Sequence, residues 1–175
     1  MKVAHEGSVG GEFISLGVRV LVVSDTRTLE TDTGGALLES LFSEAGHQVV
    51  ERRVVPDQLD AIQGAVSEAG VDSKTHAVIV TGGTGLTARD VTPEAITPLL
   101  DKHIPGFGEL FRMLSWDQIG TSAMESRAFA GLVGSTVVFV IPGSRGACSL
   151  AAEKLILPQL DARTRPCSIV GLLRG

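Results

Sequence analysis

Glycines at 82, 83 and 85, set in the run Thr81-Gly82-Gly83-Thr84-Gly85, are the residues of this 175-residue chain best suited to chemistry. A loop without Cβ atoms can bring backbone N–H groups against an oxyanion and adopt positive φ, so the run suits a phosphate, although taken alone it is equally a tight turn. Aspartates at 25, 57 and 90 add carboxylates of the kind Mg2+ takes one or two at a time, completing its shell with substrate phosphates and water. Each has a structural reading as well: Asp25 capping a turn, Asp57 capping the following helix, Asp90 pairing with Arg89 or Arg127. Three carboxylates beside one phosphate-type loop favour metal for at least one of them.

Other chemistries lack their residues. His5, His47, His76 and His103 share no ligand spacing and carry no catalytic role. Neither a Gly-x-Ser-x-Gly elbow nor a Cys-His pairing occurs, so covalent acyl transfer has no support. Cys148 and Cys167 form no CxxC and read as buried or incidental thiols. Trp116, with Phe107 and Phe111, reads as packing or a subunit contact in preference to a ring-stacking platform. Net charge is −5, with no run of Lys or Arg, which excludes nucleic acid as a partner. A bound polyphosphate would then be neutralised locally, by backbone N–H groups, a few arginines or a divalent cation. The first 17 residues contain no apolar core of a secretory signal, and no stretch approaches the roughly 20 apolar residues of a membrane span. A cytoplasmic protein without membrane contact is expected.

The elements that must position these residues follow from periodicity. Val18 to Val23 is β-branched and nearly continuous, as in a central parallel strand, and stops at Ser24-Asp25-Thr26. Leu37, Leu38, Leu41, Phe42 and Ala45 make one helical stripe over residues 34–45, ended by Gly46. Gln48 to Val55 is a second strand ending at Pro56-Asp57, and residues 59–70 a second helix. His76 to Val80 is a third strand leading into the glycine loop. Thr92-Pro93 then starts a short helix to about Leu100, the Thr92 hydroxyl serving as cap. Residues 105–116 read as a loop and about two helical turns. Ala128–Val133 and Ser135–Ile141 pair across Gly134, the latter ending at Pro142-Gly143-Ser144; a last helix over 147–157 is halted by Pro158. The expected fold is α/β: a three-layer α/β/α sandwich with a mostly parallel sheet. Residues 1–17 read as a flexible arm, 18–165 as the domain and 166–175 as a tail. In such sheets ligands bind beyond the carboxyl ends of the strands, where all four polar loops fall.

The fifteen-residue run Thr81 to Ala95 (TGGTGLTARDVTPEA) resembles, almost residue for residue, the signature of the molybdopterin-binding MogA/MoaB family. Ser24-Asp25, Pro56-Asp57, Pro105-Gly106-Phe107-Gly108-Glu109, Ser126-Arg127 and Pro142-Gly143-Ser144 match further motifs in order, and the segment 158–167 is more similar to MoaB than to MogA. The resemblance implies Mg-ATP-dependent adenylylation of molybdopterin, with Mg2+ as cofactor and ATP and molybdopterin as substrates. By the same resemblance Asp57 and Asp90 are catalytic and hold the metal. Substrate and phosphates fall to Ser24, Asp25, Thr81, Gly82, Gly83, Thr84, Gly85, Arg89, Glu94, Gly106, Glu109, Ser126, Arg127, Pro142, Gly143 and Ser144. A homotrimer or homohexamer, with other molybdenum-cofactor biosynthesis proteins as partners, is implied too. Two other uses of the fold remain: a non-catalytic molybdopterin carrier or scaffold of the MoaB type, and a nucleotide pyrophosphatase.

Overall fold

The structure, a computed structural model, describes residues 11–173. Strands β1 (Gly17–Val23), β2 (Gln48–Val55), β3 (Ala77–Thr81), β4 (Lys102–His103), β5 (Phe129–Val133) and β6 (Thr136–Ile141) form one sheet in the order β2-β1-β3-β6-β5-β4. The ladders β1–β2, β1–β3 and β3–β6 are parallel, whereas β5 is antiparallel to β6 and to β4. The mostly parallel sheet expected from the alternation of elements is therefore present, with an antiparallel edge.

Period-two alternation sorts the strand residues into two cores. Val18, Val20, Val22, Ile79, Phe139 and Ile141 face α1 (Thr33–Glu44), α4 (Pro105–Ile119) and α5 (Arg145–Ala151). Leu21, Val23, Val78, Val80, Val138 and Val140 face α2 (Leu59–Val71) and α3 (Thr92–Ile96). Helices on both faces give the three layers.

Several elements depart from expectation for tertiary reasons. Instead of two turns, α4 runs for 15 residues from Pro105. Its Gly108 does not interrupt the helix; a Cβ there would stand 2.4 Å from the Ala128 carbonyl oxygen, so the glycine permits close packing against the approach to β5. Pro158 does not halt the last helix. After α5 the chain makes a π turn over Ala152–Ile156, the Leu157 N–H reaching the Ala152 carbonyl, and continues as α6 (Leu157–Gln159) with the proline in its first turn. The helix at Thr92 is shorter than expected, giving way to a 3-10 turn over Thr97–Leu99, and Thr92 is not its cap: Val91 occupies that position without a side-chain bond.

Of the expected arm, residues 1–10 lie outside the described residues. Leu16 is buried, Phe13 packs on His47 with ring centroids 5.2 Å apart, and Gly17 opens β1. At the other end, Ile169–Leu172 forms a 3-10 turn that buries Val170. No helix among the described residues is long and apolar enough to cross a membrane.

Candidate functional site

The carboxyl ends of β1, β2, β3 and β6 lie side by side, and their loops interlock. Ser24 opens the first: its N–H reaches the Val55 carbonyl at 2.9 Å, and its Oγ accepts the N–H groups of Thr26 and Arg27. The Asp25 carboxylate accepts the N–H of Asp57 at 2.9 Å, so it caps the turn after β2. Asp57 itself does not cap α2, whose N-cap is Gln58; its Oδ1 accepts the N–H of Val91 at 3.2 Å, beyond the glycine loop. Asp90 closes its own turn by accepting the N–H and the hydroxyl of Thr87. Of the structural alternatives, the turn cap for Asp25 is the one realised.

Within the glycine loop, Gly82 and Gly83 have φ of 103° and 62°, conformations that penalise any side chain. A Cβ on Gly82 would meet the Val23 carbonyl oxygen at 2.3 Å. A Cβ on Gly83 would stand 2.2 Å from Thr92 Oγ1 and 2.9 Å from both Asp57 carboxylate oxygens, and one on Gly85 2.7 Å from Asp90 Oδ2. The glycines thus make room for the two carboxylates as well as for any ligand. Gly83→Val would drive a branched side chain into Thr92 and Asp57.

Every carbonyl from Gly82 to Gly85 is held by a donor from within the chain. Thr92 Oγ1 donates to Gly82 O at 2.9 Å and the Thr92 N–H to Gly83 O at 3.0 Å. Arg127 Nε donates to Thr84 O at 3.2 Å, and its Nη2 to Gly85 O at 2.6 Å and Asp90 O at 2.8 Å; its Nη1 bonds the Glu94 carboxylate. Arg127 therefore hydrogen-bonds Asp90 through the backbone carbonyl, and its charge acts on the carboxylate without direct contact. Thr81 Oγ1 donates to Pro142 O at 3.1 Å, tying the loop to Pro142-Gly143-Ser144, and Ser144 caps α5 through the Ala147 N–H. Gly143 packs on Gly82, where a Cβ would be 3.3 Å from its Cα.

Charge is unevenly distributed among the aspartates. Burial pushes the Asp57 carboxyl above its ordinary range, with the Asp90 and Asp25 charges acting in the same direction against the Val91 N–H bond. The Thr87 bonds hold Asp90 below that range. Arg89 lies close enough to oppose the rise at Asp57. Among the described residues no group of three His, Cys, Asp or Glu side chains is arranged to hold a metal alone.

Ser126 lies beside the loop that follows β6. Its Oγ is buried without a hydrogen-bond partner among the described residues, beside a cavity of about 130 Å3 that it lines with Ser115, Gln118, Pro142 and Ser144. A second cavity of about 290 Å3 adjoins Thr87, Asp90, Glu94 and Arg127. Gly106 and Glu109 are not drawn to these loops: Gly106 lines a separate apolar cavity with Phe107, Leu155 and Ile169, and Glu109 is exposed on the same helix. Sequence reasoning missed Asp32, which is 4% exposed, caps α1 through the Gly35 N–H and pairs with Arg52 at 3.1 Å. The pattern Asp32-Thr33-Gly34-Gly35 ahead of the apolar stripe carried that signal. Cys148, 3.3 Å from Thr81 Oγ1, is fully buried; burial pushes its thiol up, as for an inert core cysteine.

Residues 19–162 match the model of the family described as "Probable molybdopterin binding domain". The chain belongs to this family. As a molybdopterin-binding domain it is 48% identical to molybdenum cofactor biosynthesis protein B of Escherichia coli strain K12 over 160 residues, 91% of this chain and 94% of that protein. A crystal structure of molybdenum cofactor biosynthesis protein B superposes with a TM-score of 0.82 at 51% identity, covering 84% of this chain and 92% of the other. The tungsten cofactor synthesizing protein MoaB from Pyrococcus furiosus superposes with a TM-score of 0.71 at 36% identity, covering 79% and 89%. In the molybdopterin-binding domain of this chain, the loops at the ends of β1, β2, β3 and β6 are the ones that its sequence motifs single out.

Proposed function

We propose that the protein acts in molybdenum cofactor biosynthesis, transferring the adenylyl group of ATP to the terminal phosphate of molybdopterin with release of pyrophosphate. The observation that carries the reading is the glycine loop, whose four successive carbonyls are all held inside the protein, next to Asp57 and Asp90. The Gly82 N–H bonds the Ile141 carbonyl at 3.1 Å, and carbonyl oxygens withdrawn in this way leave the N–H groups after it in the loop for an anion. The orphaned Ser126 Oγ beside Ser144 offers an unused hydroxyl where a polar substrate would sit.

Asp57 and Asp90 fit Mg2+: two carboxylates are what the ion takes when phosphate and water supply the rest of its shell. Burial first, and then the like charges of Asp90 and Asp25, raise Asp57, and a cation would relieve the repulsion among them. The ion, when bound, would offset charge on the phosphates. Everything else falls to the chain: the loop positions the phosphate, Asp25 and Val91 orient Asp57, and no protein nucleophile is required because a substrate phosphate oxygen attacks. The family relationship and the site support a transferase over a carrier because the carboxylates expected to hold metal are kept beside the loop. Pyrophosphate release that requires both ATP and molybdopterin tests the reading; pterin binding without release would make the protein a carrier.

Self-association belongs to the same proposal. Met113, Trp116 and Met124 are 61%, 55% and 79% exposed on and after α4, around an apolar depression, and Ile119 at the end of the helix is 54% exposed. Phe107 and Phe111, grouped with Trp116 in the sequence, are instead buried in the core. A homotrimer or homohexamer would cover the exposed set.

A further inference from the structure

A guanidinium presents five N–H donors in a planar fork, and at Arg127 all three nitrogens are committed within the chain, to Thr84 O, Gly85 O, Asp90 O and the Glu94 carboxylate. Thr92 restrains the two preceding carbonyls. A carbonyl dipole turned toward a phosphate would repel it, so the direction of these peptide planes decides whether the loop attracts or rejects an anion. Residues 126 and 127 lie in extended chain leading into β5, where successive side chains point to opposite sides: Ser126 lines the small cavity beside Pro142 and Ser144, and Arg127 grips the loop.

We propose that Arg127 is a positioning residue that fixes the peptide planes of the glycine loop for a phosphate-bearing ligand, and that it does not itself bind the phosphate. This deepens, and rests on, the phosphate-binding reading of the loop. The alternative is an ionic contact with the ligand, and the two roles demand different chemistry. An ionic contact survives in large part when Lys replaces Arg. A clamp does not, because one ammonium cannot reproduce a planar fork across the carbonyls of Thr84, Gly85 and Asp90.

The test uses the full-length protein and its Arg127→Lys and Arg127→Gln variants. Amide hydrogen exchange over residues 82–90 is followed without ligand, and Mg-ATP affinity is followed by calorimetry. Both variants should speed exchange in the loop about tenfold, as expected for losing about one net hydrogen bond of local stability. Amides of β1, β3 and β6 should be unchanged, and both variants should weaken Mg-ATP binding by about the same factor. Parental loop exchange in Arg127→Lys, or Lys restoring Mg-ATP affinity that Gln loses, would overturn the proposal. If the variants do not fold, nuclear magnetic resonance of the parent still decides. The Arg127 Nε–H should be protected without ligand and barely shift when Mg-ATP binds; an unprotected signal that becomes ordered only with Mg-ATP contradicts the clamp. A parent that fails to bind Mg-ATP would remove the phosphate reading, while the exchange data would still judge the clamp.

Discussion

The carboxylate of Asp25 accepts the backbone N–H of Asp57 at 2.9 Å, so the loop after β1 sets the position of a carboxylate whose charge is opposed by burial and by its neighbours. Asp25 thus acts as a positioning residue. Asp25→Asn keeps an oxygen acceptor and removes one of the charges that raise Asp57, whereas Asp25→Ala removes both. Asp25→Ala should lower turnover about tenfold, the equivalent of roughly one net hydrogen bond, and Asp25→Asn should retain most activity. Equal losses in steady-state assays of both variants would mean that Asp25 acts through its charge.

Gly82 is fixed by the fold and Gly106 is not. A Cβ on Gly82 collides with the Val23 carbonyl at a φ of 103°, whereas nothing lies within 4 Å of a Cβ on Gly106. Gly82→Ala should therefore destabilise the protein by about 2 kcal/mol or more in urea unfolding, the scale of a strained backbone position, and Gly106→Ala by less than about 0.5 kcal/mol or not at all. Similar midpoints for the two would contradict the close approach of the β1 and β3 ends.

Two imidazoles hold the entry to β1: the N–H of Leu16 reaches His47 Nδ1 at 3.3 Å and that of Gly17 reaches His76 Nδ1 at 3.0 Å. Burial lowers the His47 pKa from its usual 6.5, outweighing the pull of Asp161. The folded state thus binds this proton more weakly than the unfolded chain. The stability from neutral His47 is fully present above pH 6.5 and is lost as pH falls below it. The parent should lose more thermal stability between pH 7.5 and 5 than His47→Gln, which can accept the Leu16 N–H without titrating. Parallel melting curves across that range would exclude His47 as the group responsible.

Trp116 is half exposed next to Met113 and Met124. Light scattering at micromolar concentration should give a mass several times 18.3 kDa, and Trp116→Glu should lower it toward that of one chain, because a buried unpaired carboxylate opposes an apolar interface. A parent that is already monomeric would contradict self-association.

What could be read from the sequence was local. The β-branched run Gln48 to Val55 carries its own boundaries and forms β2 over the same residues, and the polar loops that follow it and its neighbours fall at the strand ends because apolar runs must stop where burial stops. The length of α4 was hidden because Gly108 answers to the Ala128 carbonyl, a partner of which its own neighbourhood gives no sign. Pro158 looked like a stop because a π turn that absorbs it has no local signature. Within the site, the glycine loop and the aspartates were visible as residue types. Their partners were not: Arg127 acts on backbone carbonyls of Thr84, Gly85 and Asp90, between 37 and 43 positions away, and a carbonyl looks the same in every residue. Thr92 was misread for the same reason, since a hydroxyl before proline signals a cap unless a distant carbonyl claims it.

Pyrophosphate release from ATP with Mg2+ and molybdopterin, measured in the parent and in Asp57→Asn and Asp90→Asn, separates a transferase from a carrier. Release should depend on both substrates in the parent and fall about a hundredfold or more in each variant, as for loss of an electrostatic contribution of a few kcal/mol to the transition state. Molybdopterin binding should be retained in both variants. A parent that binds molybdopterin tightly and releases no pyrophosphate, or variants that turn over at the parental rate, would contradict this mechanism.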